Sequence, residues 1–321
     1  MTLDTVDLKL LQALQLDGRV PFSRIAEALG VSDQTIARRF RRLQTSIGLR
    51  VVGMTDESRL GGESWIVRVQ CTPDSADRLA ETLARRPDTA YVALLSGGAE
   101  TVCAMRPRTR QARNDLLLDR LQRTPRVIGF SAYCLLHRFA GSRLGRHRET
   151  SALTVREERI LRPQAPAGTT ARPTLDAVDE HLLAALFDDG RASTTALGRA
   201  CDQSEEQVRR RLGRLLAAGV LYFDVQHAPE ALGLDLAAML WLTVSPSALA
   251  TVGRALAGHP EVEFAAAVSG RINLAAEVRC RGAEELYAYL TDRLGALDGV
   301  QSVETTLILR QVKWLALPLA R

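Results

Sequence analysis

The spacing of apolar residues near the N-terminus predicts three short helices. In the first helix the apolar residues recur on one face, at Val6, Leu10, Leu11 and Leu14. A second helix is predicted over Phe22–Leu29 with Gly30 at its end, and Ser32 is placed to cap a third. The third helix carries its own inward stripe, at Ile36, Phe40 and Leu43. Helices that meet at such a tight turn indicate a helix-turn-helix.

From about residue 63 the pattern changes to strands and helices in the order βαββαβ. Alternating apolar and polar residues predict strands at 64–71, 89–95, 101–105 and 126–136. Helices are predicted between Pro73 and Pro87 and over residues 110–122. This order is typical of an antiparallel sheet with two helices on one face, the ferredoxin-like arrangement.

The whole pattern occurs twice along the chain. The motifs that open each copy are Leu3-Asp4-x-x-Asp7 with Asp17-Gly18-Arg19, and Leu175-Asp176-x-x-Asp179 with Asp189-Gly190-Arg191. The second copy therefore starts 172 residues after the first, from 175 − 3. Its mixed part repeats the βαββαβ order, with strands at 237–244, 261–268, 273–278 and 300–309 and helices at 247–257 and 283–295.

The repeat predicts four domains and a connector, in a fold of the α+β class. The helix-turn-helix domains are assigned to residues 1–62 and 174–234, and the mixed domains to residues 63–139 and 235–321. Residues 140–173 form the connector between the two copies. Its Pro, Gly and Thr content predicts flexible ends around one helix at residues 153–161.

The third helix of each repeat has a polar face that is rich in arginine. The candidate DNA-contacting residues of the first repeat are Ser32, Gln34, Thr35, Arg38, Arg39, Arg41 and Arg42. Those of the second repeat are Ser204, Gln207, Arg210, Arg211 and Arg214. Arg and Gln can read base edges in a major groove, while flanking arginines hold phosphates. A solvated arginine-rich helix is the alternative interpretation of the same charges.

The second reading helix departs from the first at two places. Gly30-Val31 at the turn becomes Asp202-Gln203, and Gln34 becomes Glu206. Asp tolerates the left-handed conformation, so the turn can survive. A carboxylate near the reading end repels phosphate, so we expect the second reader to be weaker or differently tuned.

The overall charge permits a polyanionic partner. The formal net charge is +5, and Lys9 and Lys313 are the only lysines, so nearly all positive charge is arginine. The arginine fork suits guanine or phosphate, although the same bias also fits a GC-rich genome.

The sequence disfavours a metal or cofactor site, a membrane-spanning segment and secretion. The five cysteines are scattered, without a Cys-x-x-Cys pair, which indicates structural thiols and no metal or cofactor. No uncharged apolar run of membrane-spanning length occurs, and the N-terminus lacks the pattern of a signal peptide. We therefore expect a cytoplasmic protein without a membrane partner.

Both repeats resemble the Lrp/AsnC (leucine-responsive, feast/famine) family of bacterial transcription regulators. The resemblance covers nearly all of both repeats. In the first repeat it rests on the opening motifs, on Leu29-Gly30-x-Ser32-x-x-Thr35-x-x-Arg38-Arg39 and on Leu60-Gly61. It implies a winged helix-turn-helix followed by a βαββαβ (RAM) effector and dimerisation domain. It also implies double-stranded DNA as a partner, an amino-acid-like effector, and self-association of the fused, pseudo-dimeric chains.

The resemblance implies an effector turn between the second and third strands of each mixed domain. The matching residues are Ser96, Gly97, Gly98 and Glu100 in the first repeat, and Ser269, Gly270, Arg271 and Asn273 in the second. The family usually carries a Gly-Asp-Tyr-Asp-like stretch here, and only Glu100 keeps its acidic character. A plain β-hairpin is the alternative interpretation of these turns.

Two other functions fit the same architecture. Siroheme decarboxylases of haem biosynthesis resemble this two-part unit and need histidine and arginine around a tetrapyrrole. No histidine of this chain lies in the strand pair expected to line such a pocket, and only Arg271-Ile272-Asn273-Leu274 resembles the enzyme motif. The other alternative is a protein-interaction module whose second reader no longer binds DNA. Since no catalytic Ser/His/Asp set or nucleotide-binding loop is evident, the sequence favours a regulator that is not an enzyme.

Overall fold

The computed structural model describes residues 3–86, 88–107, 109–141, 152–162, 173–314 and 317–318. The chain divides into two compact units, each built from one part of each repeat. Residues 1–61 and 142–233 form the first, which we call the helical unit. Residues 62–141 and 234–321 form the second, which we call the sheet unit.

The elements of the first repeat follow the order expected from the sequence. The helical part contains α1 (Thr5–Leu16), α2 (Phe22–Leu29), α3 (Asp33–Ile47) and β1 (Arg50–Thr55). The mixed part contains β2 (Trp65–Cys71), α4 (Ala76–Ala84), β3 (Thr89–Leu95), β4 (Glu100–Met105), α5 (Arg110–Asn114), α6 (Leu121–Arg123) and β5 (Val127–Ala140). A π-helical turn, Asp115–Arg120, joins α5 to α6.

After the connector helix α7 (Val155–Leu161), the described residues of the second repeat follow the same order, except that a π-helical turn, Tyr289–Leu294, leads directly to the closing strand and a short strand, β11, is added. Its helical part contains α8 (Ala177–Asp188), α9 (Thr194–Cys201), α10 (Glu205–Ala217) and β6 (Leu221–Gln226). Its mixed part contains β7 (Leu236–Val244), α11 (Leu249–Gly258), β8 (Val262–Val268), β9 (Leu274–Cys280), α12 (Ala283–Ala288), β10 (Val300–Trp314) and β11 (Leu317–Pro318).

Local capping explains where the reading helices begin. Ser32 caps α3 by accepting from the backbone N–H of Thr35, and Ser204 caps α10 in the same way. Gly30 ends α2 in the left-handed conformation, with φ of 67°. Asp202 takes the left-handed conformation at the same place in the second repeat, with φ of 52°. The altered turn of the second repeat therefore keeps its geometry, as Asp permits.

Strands β1 and β6 join the two helix-turn-helix domains within the helical unit. They pair antiparallel from Arg50 opposite Gln226 to Thr55 opposite Leu221. Each three-helix set has its own apolar core, and Val225 of the second repeat completes the core of the first. The two domains are thus one folded unit.

The connector helix α7 packs on the first helix-turn-helix domain. Leu161 is fully buried in that core, and Lys9 of α1 forms an ion pair with Glu157 at 2.6 Å. Arg24 of α2 donates to the carbonyl of Ile160. The predicted connector helix is therefore present, while residues 142–151 and 163–172, whose flexibility the sequence predicts, lie outside the described residues. So does Pro87, the predicted end of the helix before it.

The sheet unit contains one antiparallel sheet, to which each repeat contributes four strands in ferredoxin-like order. Those of the first repeat run β3-β4-β2-β5, and those of the second run β8-β9-β7-β10. Strand β5 also pairs with β8, and β10 also pairs with β3, which closes the eight strands into a ring. One core lies under the helices of each repeat, and a third joins inward residues of both repeats.

The predicted α+β fold of two tandem units is confirmed, although β1 and β6 match no predicted strand and the closing strands are longer than expected. Strand β5 ends at Ala140 and β10 at Trp314, beyond the predicted ends at 136 and 309. The additional residues pair with the other repeat. A hydrophobic pattern within one repeat carries no signal for such pairing, which explains why the prediction stopped short.

Candidate nucleic-acid interface and ligand turns

Part of the predicted reading face of α3 is free to contact a partner. Gln34, Arg38 and Arg41 are exposed, and their side chains form no hydrogen bond or ion pair with any described residue. Ser32 is also exposed and lies at the helix start, where its Oγ is 2.9 Å from the hydroxyl of Thr35. These side chains present two cations and several hydrogen-bonding groups along the exposed face of α3.

Arg39 and Arg42 are instead directed at α1. Asp7 is fully buried, and it accepts from Arg39 Nη1 at 2.8 Å and from Arg42 Nη2. Arg39 also donates to Asp4 at 2.6 Å, and this hydrogen bond holds the pKa of Asp4 below its ordinary value. A buried carboxylate needs such partners. Both arginines therefore dock the reading helix on α1.

The second repeat reproduces this arrangement. Exposed Arg210 and Gln207 lie near the start of α10, and the side chain of Arg210 has no partner among the described residues. Arg211 binds Asp179 at 2.7 Å and Asp176 at 2.8 Å, and Arg214 also binds Asp179. Asp179 is fully buried, like its counterpart in the first repeat.

The role of these aspartates was missed by the sequence argument, although a signal was present. The motif Asp-x-x-Asp opens both repeats, and Asp4 and Asp7 form a capping box at the start of α1. An arginine pair recurs at the same offset on the third helix of each repeat. Matched carboxylates and arginines on two helices of one small domain indicate ion pairs inside the domain.

The start of α10 differs from the start of α3 in its contacts. Glu205, the first residue of α10, accepts from Thr195 Oγ1 at 2.7 Å and from Thr194 Oγ1 at 3.2 Å. Both threonines belong to the first turn of α9. Asp33 occupies the equivalent position of the first repeat and makes no such contact with the described residues.

The repeated Asp-Gly-Arg motif holds the two helix-turn-helix domains together. Arg19 donates to the carbonyls of Gly190 and Ala192 at 2.6 and 2.8 Å. Arg191 donates to the carbonyls of Gly18 and Val20 at 2.7 and 2.9 Å. A Cβ atom at Gly18 would lie 2.7 Å from Phe223, and one at Gly190 would lie 2.8 Å from the carbonyl oxygen of Val51. The close approach of the two repeats therefore requires the glycines.

The candidate effector turn of the first repeat is a short 3₁₀ segment, Ser96–Gly98. Gly98 has a positive φ of 72°, and Ser96 is exposed. Glu100 is bound by Arg68, which also donates to Glu304 at 2.6 Å and lies over the ring of Trp241. Glu100 is thus part of a polar cluster formed by both repeats.

The equivalent turn of the second repeat is partly used by the fold. Ser269 Oγ accepts from the backbone N–H of Cys134 at 2.8 Å. The side chain of Asn273 bridges the backbone N–H and carbonyl of Val244. Gly270 has a positive φ of 108°, and Arg271 is exposed. Arg271 and Glu100 form no ion pair with each other in the described structure.

The described residues contain no group of three or more His, Cys, Asp or Glu side chains that could hold a metal ion. Burial raises the pKa of Cys103 to about 12, which keeps this thiol protonated. Within the described residues no helix is long and apolar enough to cross a membrane.

Comparison with protein families matches both kinds of domain. The AsnC-type helix-turn-helix domain matches residues 3–44 and 175–216, and the Lrp/AsnC ligand binding domain matches residues 237–315. The first-repeat mixed domain lies outside these matches but has the same strand order.

Curated relatives have about half the length of this chain. An uncharacterized HTH-type transcriptional regulator of Pyrococcus abyssi is 30% identical over 141 residues, covering 44% of this chain and 89% of the relative. The HTH-type transcriptional regulator AldR of Mycolicibacterium smegmatis is 28% identical over 161 residues, covering 48% of this chain and 92% of the relative. These relatives include an archaeal and a bacterial protein, so the bacterial source expected from the sequence is not established.

A structural likeness extends along nearly the whole chain. The siroheme decarboxylase NirDL aligns with a TM-score of 0.65 and 17% identity, covering 97% of this chain and 93% of that protein. At this identity the likeness shows a shared fold. The family matches, the curated relatives and the repeated architecture together assign this chain to the Lrp/AsnC family of transcription regulators, with two units of that family in tandem.

Proposed function

We propose that the protein is a sequence-specific DNA-binding regulator whose two reading helices are held in one chain. The observation that carries this proposal is the pair of equivalent helices α3 and α10, each with an exposed, unpaired arginine, Arg38 or Arg210, near its capped start. A recognition helix contacts base edges with its N-terminal residues. The β1–β6 pairing and the Arg19 and Arg191 contacts link the two readers as a dimer interface would.

The predicted contact residues divide into two roles under this proposal. The residues on the accessible face contact DNA: Ser32, Gln34, Thr35, Arg38 and Arg41 in the first repeat, and Ser204, Gln207 and Arg210 in the second. Arg39, Arg42, Arg211 and Arg214 position the reading helices through Asp7 and Asp179. The operator then has two half-sites roughly 10 base pairs apart, and they need not be identical because the readers differ.

Selection of duplexes from a random library by the full-length chain tests this function. We expect enriched sequences with two half-sites, and an affinity that falls steeply with salt. The double variant Arg38→Ala, Arg210→Ala should abolish the enrichment. Arg123→Ala with Arg254→Ala, at exposed positions of the sheet unit, is the matched control and should preserve it. A library without enriched sequences would refute the proposal.

The effector response is proposed for the turns at residues 96–100 and 269–273. The exposed Ser96 and Arg271, beside glycines of positive φ, support a site for a small amino-acid-like molecule. Glu100 can contribute if the ammonium group of the ligand competes with Arg68. Thermal shifts of the full chain with the common amino acids test this, with Arg271→Ala and Glu100→Ala as variants. An unchanged response in both variants would place the site elsewhere.

We also propose that the chain consists of the four domains predicted from the sequence and that it self-associates. Family members are expected to stack dimeric units through their sheet domains, and one fused chain supplies one such unit. Light scattering should then give a multiple of 35.1 kDa. A monomer at micromolar concentration would contradict self-association.

Tetrapyrrole decarboxylation is the second candidate function, because the fold likeness to siroheme decarboxylase NirDL covers 97% of the chain. Three described histidines have contacts within the fold: His259 lies 3.2 Å from the hydroxyl of Tyr289, His137 packs on Phe139, and His227 Nδ1 lies 3.3 Å from the carbonyl oxygen of Ala228. We favour the regulator because the reading faces are exposed. An absorbance scan after incubation with siroheme separates the two functions, since binding with a shifted haem spectrum would support the enzyme.

A further inference from the structure

A carboxylate bridges the starts of two helices in the second helix-turn-helix domain. Glu205 is the first residue of α10, and its two oxygens accept from hydroxyls in the first turn of α9. The distances are 2.7 Å to Thr195 Oγ1 and 3.2 Å to Thr194 Oγ1. Both hydrogen bonds are exposed, so they form on the surface of the domain.

This position is where a helix-turn-helix contacts the DNA backbone. The first helix of the motif crosses the backbone, and hydroxyl side chains and helix starts are common donors to phosphate oxygens. Thr194 and Thr195 are such hydroxyls, on the helix that precedes the reading helix. The Glu205 carboxylate engages them with two anionic oxygens, as a phosphate group would.

The first repeat leaves the equivalent position open. Asp33 corresponds to Glu205, and Ser23 corresponds to Thr195. Neither side chain forms a hydrogen bond or ion pair with any described residue, and both are exposed. The shorter aspartate therefore leaves the hydroxyl of Ser23 available, although both repeats carry an acidic residue here.

We propose that Glu205 mimics a DNA phosphate and keeps the second helix-turn-helix domain from docking fully on the DNA backbone. This inference rests on the proposed DNA-binding function and assigns a cause to the difference between the readers. The second domain then makes fewer contacts with the DNA backbone than the first. The half-site that it binds therefore contributes less to the affinity for the operator.

A second acidic residue at the start of α10 acts in the same direction. Glu206 is exposed beside Glu205 and has no partner among the described residues. The hydrogen bonds from Thr195 and Thr194 lower the pKa of Glu205, so its carboxylate is charged at neutral pH. Phosphate approaching the start of α10 therefore meets the carboxylates of Glu205 and Glu206.

The variant Glu205→Ala in the full-length chain tests the proposal. We expect an increase in affinity for the selected operator of roughly three- to tenfold, the effect of about one added hydrogen bond. Backbone footprinting should show new protection at the second half-site. Asp33→Ala is the matched control in the first repeat and should leave the footprint unchanged.

Replacing the hydroxyls separates phosphate mimicry from general repulsion. Thr194→Val with Thr195→Val should leave binding unchanged in the natural background, because Glu205 already occupies both hydroxyls. In the Glu205→Ala background the same pair should remove most of the increase in affinity and the new backbone protection. Glu206→Ala removes an equal negative charge one residue away. Its effect on affinity should be the same whether or not Thr194 and Thr195 are replaced.

Three results would overturn the proposal. The first is an unchanged affinity and footprint for Glu205→Ala when the natural chain binds its operator. The second is an increase in affinity that persists after both threonines are replaced, which would indicate charge repulsion alone. The third is an increase of equal size from Asp33→Ala. If the natural chain selects no duplex at all, the proposed function fails and this inference fails with it.

Discussion

Arg19 and Arg191, equivalent residues of the two repeats, each cross to the other repeat and donate two hydrogen bonds to its backbone carbonyls. Both arginines also lie over aromatic rings, Arg19 over Phe223 of the other repeat and Arg191 over Phe22. Planar guanidinium groups suit such paired contacts. These contacts tie the two helix-turn-helix domains together, so the position of one reading helix depends on the other domain.

Arg19→Met should destabilise the helical unit by about 2–4 kcal/mol, because two charged hydrogen bonds are lost and the carbonyls of Gly190 and Ala192 lose their donor. Urea unfolding followed by far-ultraviolet circular dichroism measures this loss. The three tryptophans, Trp65, Trp241 and Trp314, all belong to the sheet unit, so their fluorescence should shift little. Arg209→Met, at an exposed arginine, is the control, and an equal effect of both changes would contradict the prediction.

Arg38→Ala should weaken operator binding more than Arg210→Ala does. Loss of an arginine that makes a bidentate base contact costs about 1–3 kcal/mol and changes the base preference, whereas loss of a phosphate contact weakens all sequences alike. The first reading helix has Gln34 where the second has Glu206. In addition, Glu205 occupies the hydroxyl of Thr195 beside the second reading helix. Competition binding at fixed salt compares the two variants. A greater loss from Arg210→Ala would reverse our ranking of the readers.

Arg68→Met should destabilise the sheet unit by about 3–5 kcal/mol, because it leaves the largely buried carboxylate of Glu100 without its partner. Glu304→Gln should cost much less, since that side chain is 53% exposed. Tryptophan fluorescence during urea unfolding follows both changes, and Trp241 lies under Arg68 itself. Similar losses of stability from the two variants would show that the buried carboxylate of Glu100 does not need its ion pair with Arg68.

Acid should weaken the docking of α3 on α1. The hydrogen bond from Arg39 lowers the pKa of Asp4 in the folded chain, so the stabilisation is complete above the ordinary Asp pKa. It is lost as pH falls from about 4 through the lowered folded-state value. Asp4→Asn should therefore reduce stability at neutral pH and flatten its decline in acid, as measured by urea unfolding at a series of pH values. A decline as steep as that of the natural chain would assign the acid sensitivity to other groups.

Most of the helices were predictable because their signals are local. The bounds Phe22–Leu29 and the Ser32 cap follow from residues within a few positions of each helix end. The repeated motifs likewise predicted two copies of one domain pair, which the architecture confirms. The reading face was predictable only in part, because helical periodicity places Arg39 near Arg38 but does not identify Asp7 as its partner.

The sequence by itself determined most of the helices, the tandem repeat and the family, since these depend on periodicity, capping and motif spacing within each repeat. Tertiary structure alone decided which arginines remain exposed, how β5 and β10 cross between repeats, and that Glu205 engages Thr194 and Thr195. The partners of these contacts come from different elements, and in the crossing strands from different repeats. Their identity depends on how the elements pack, and residue periodicity along the chain carries no information about such packing.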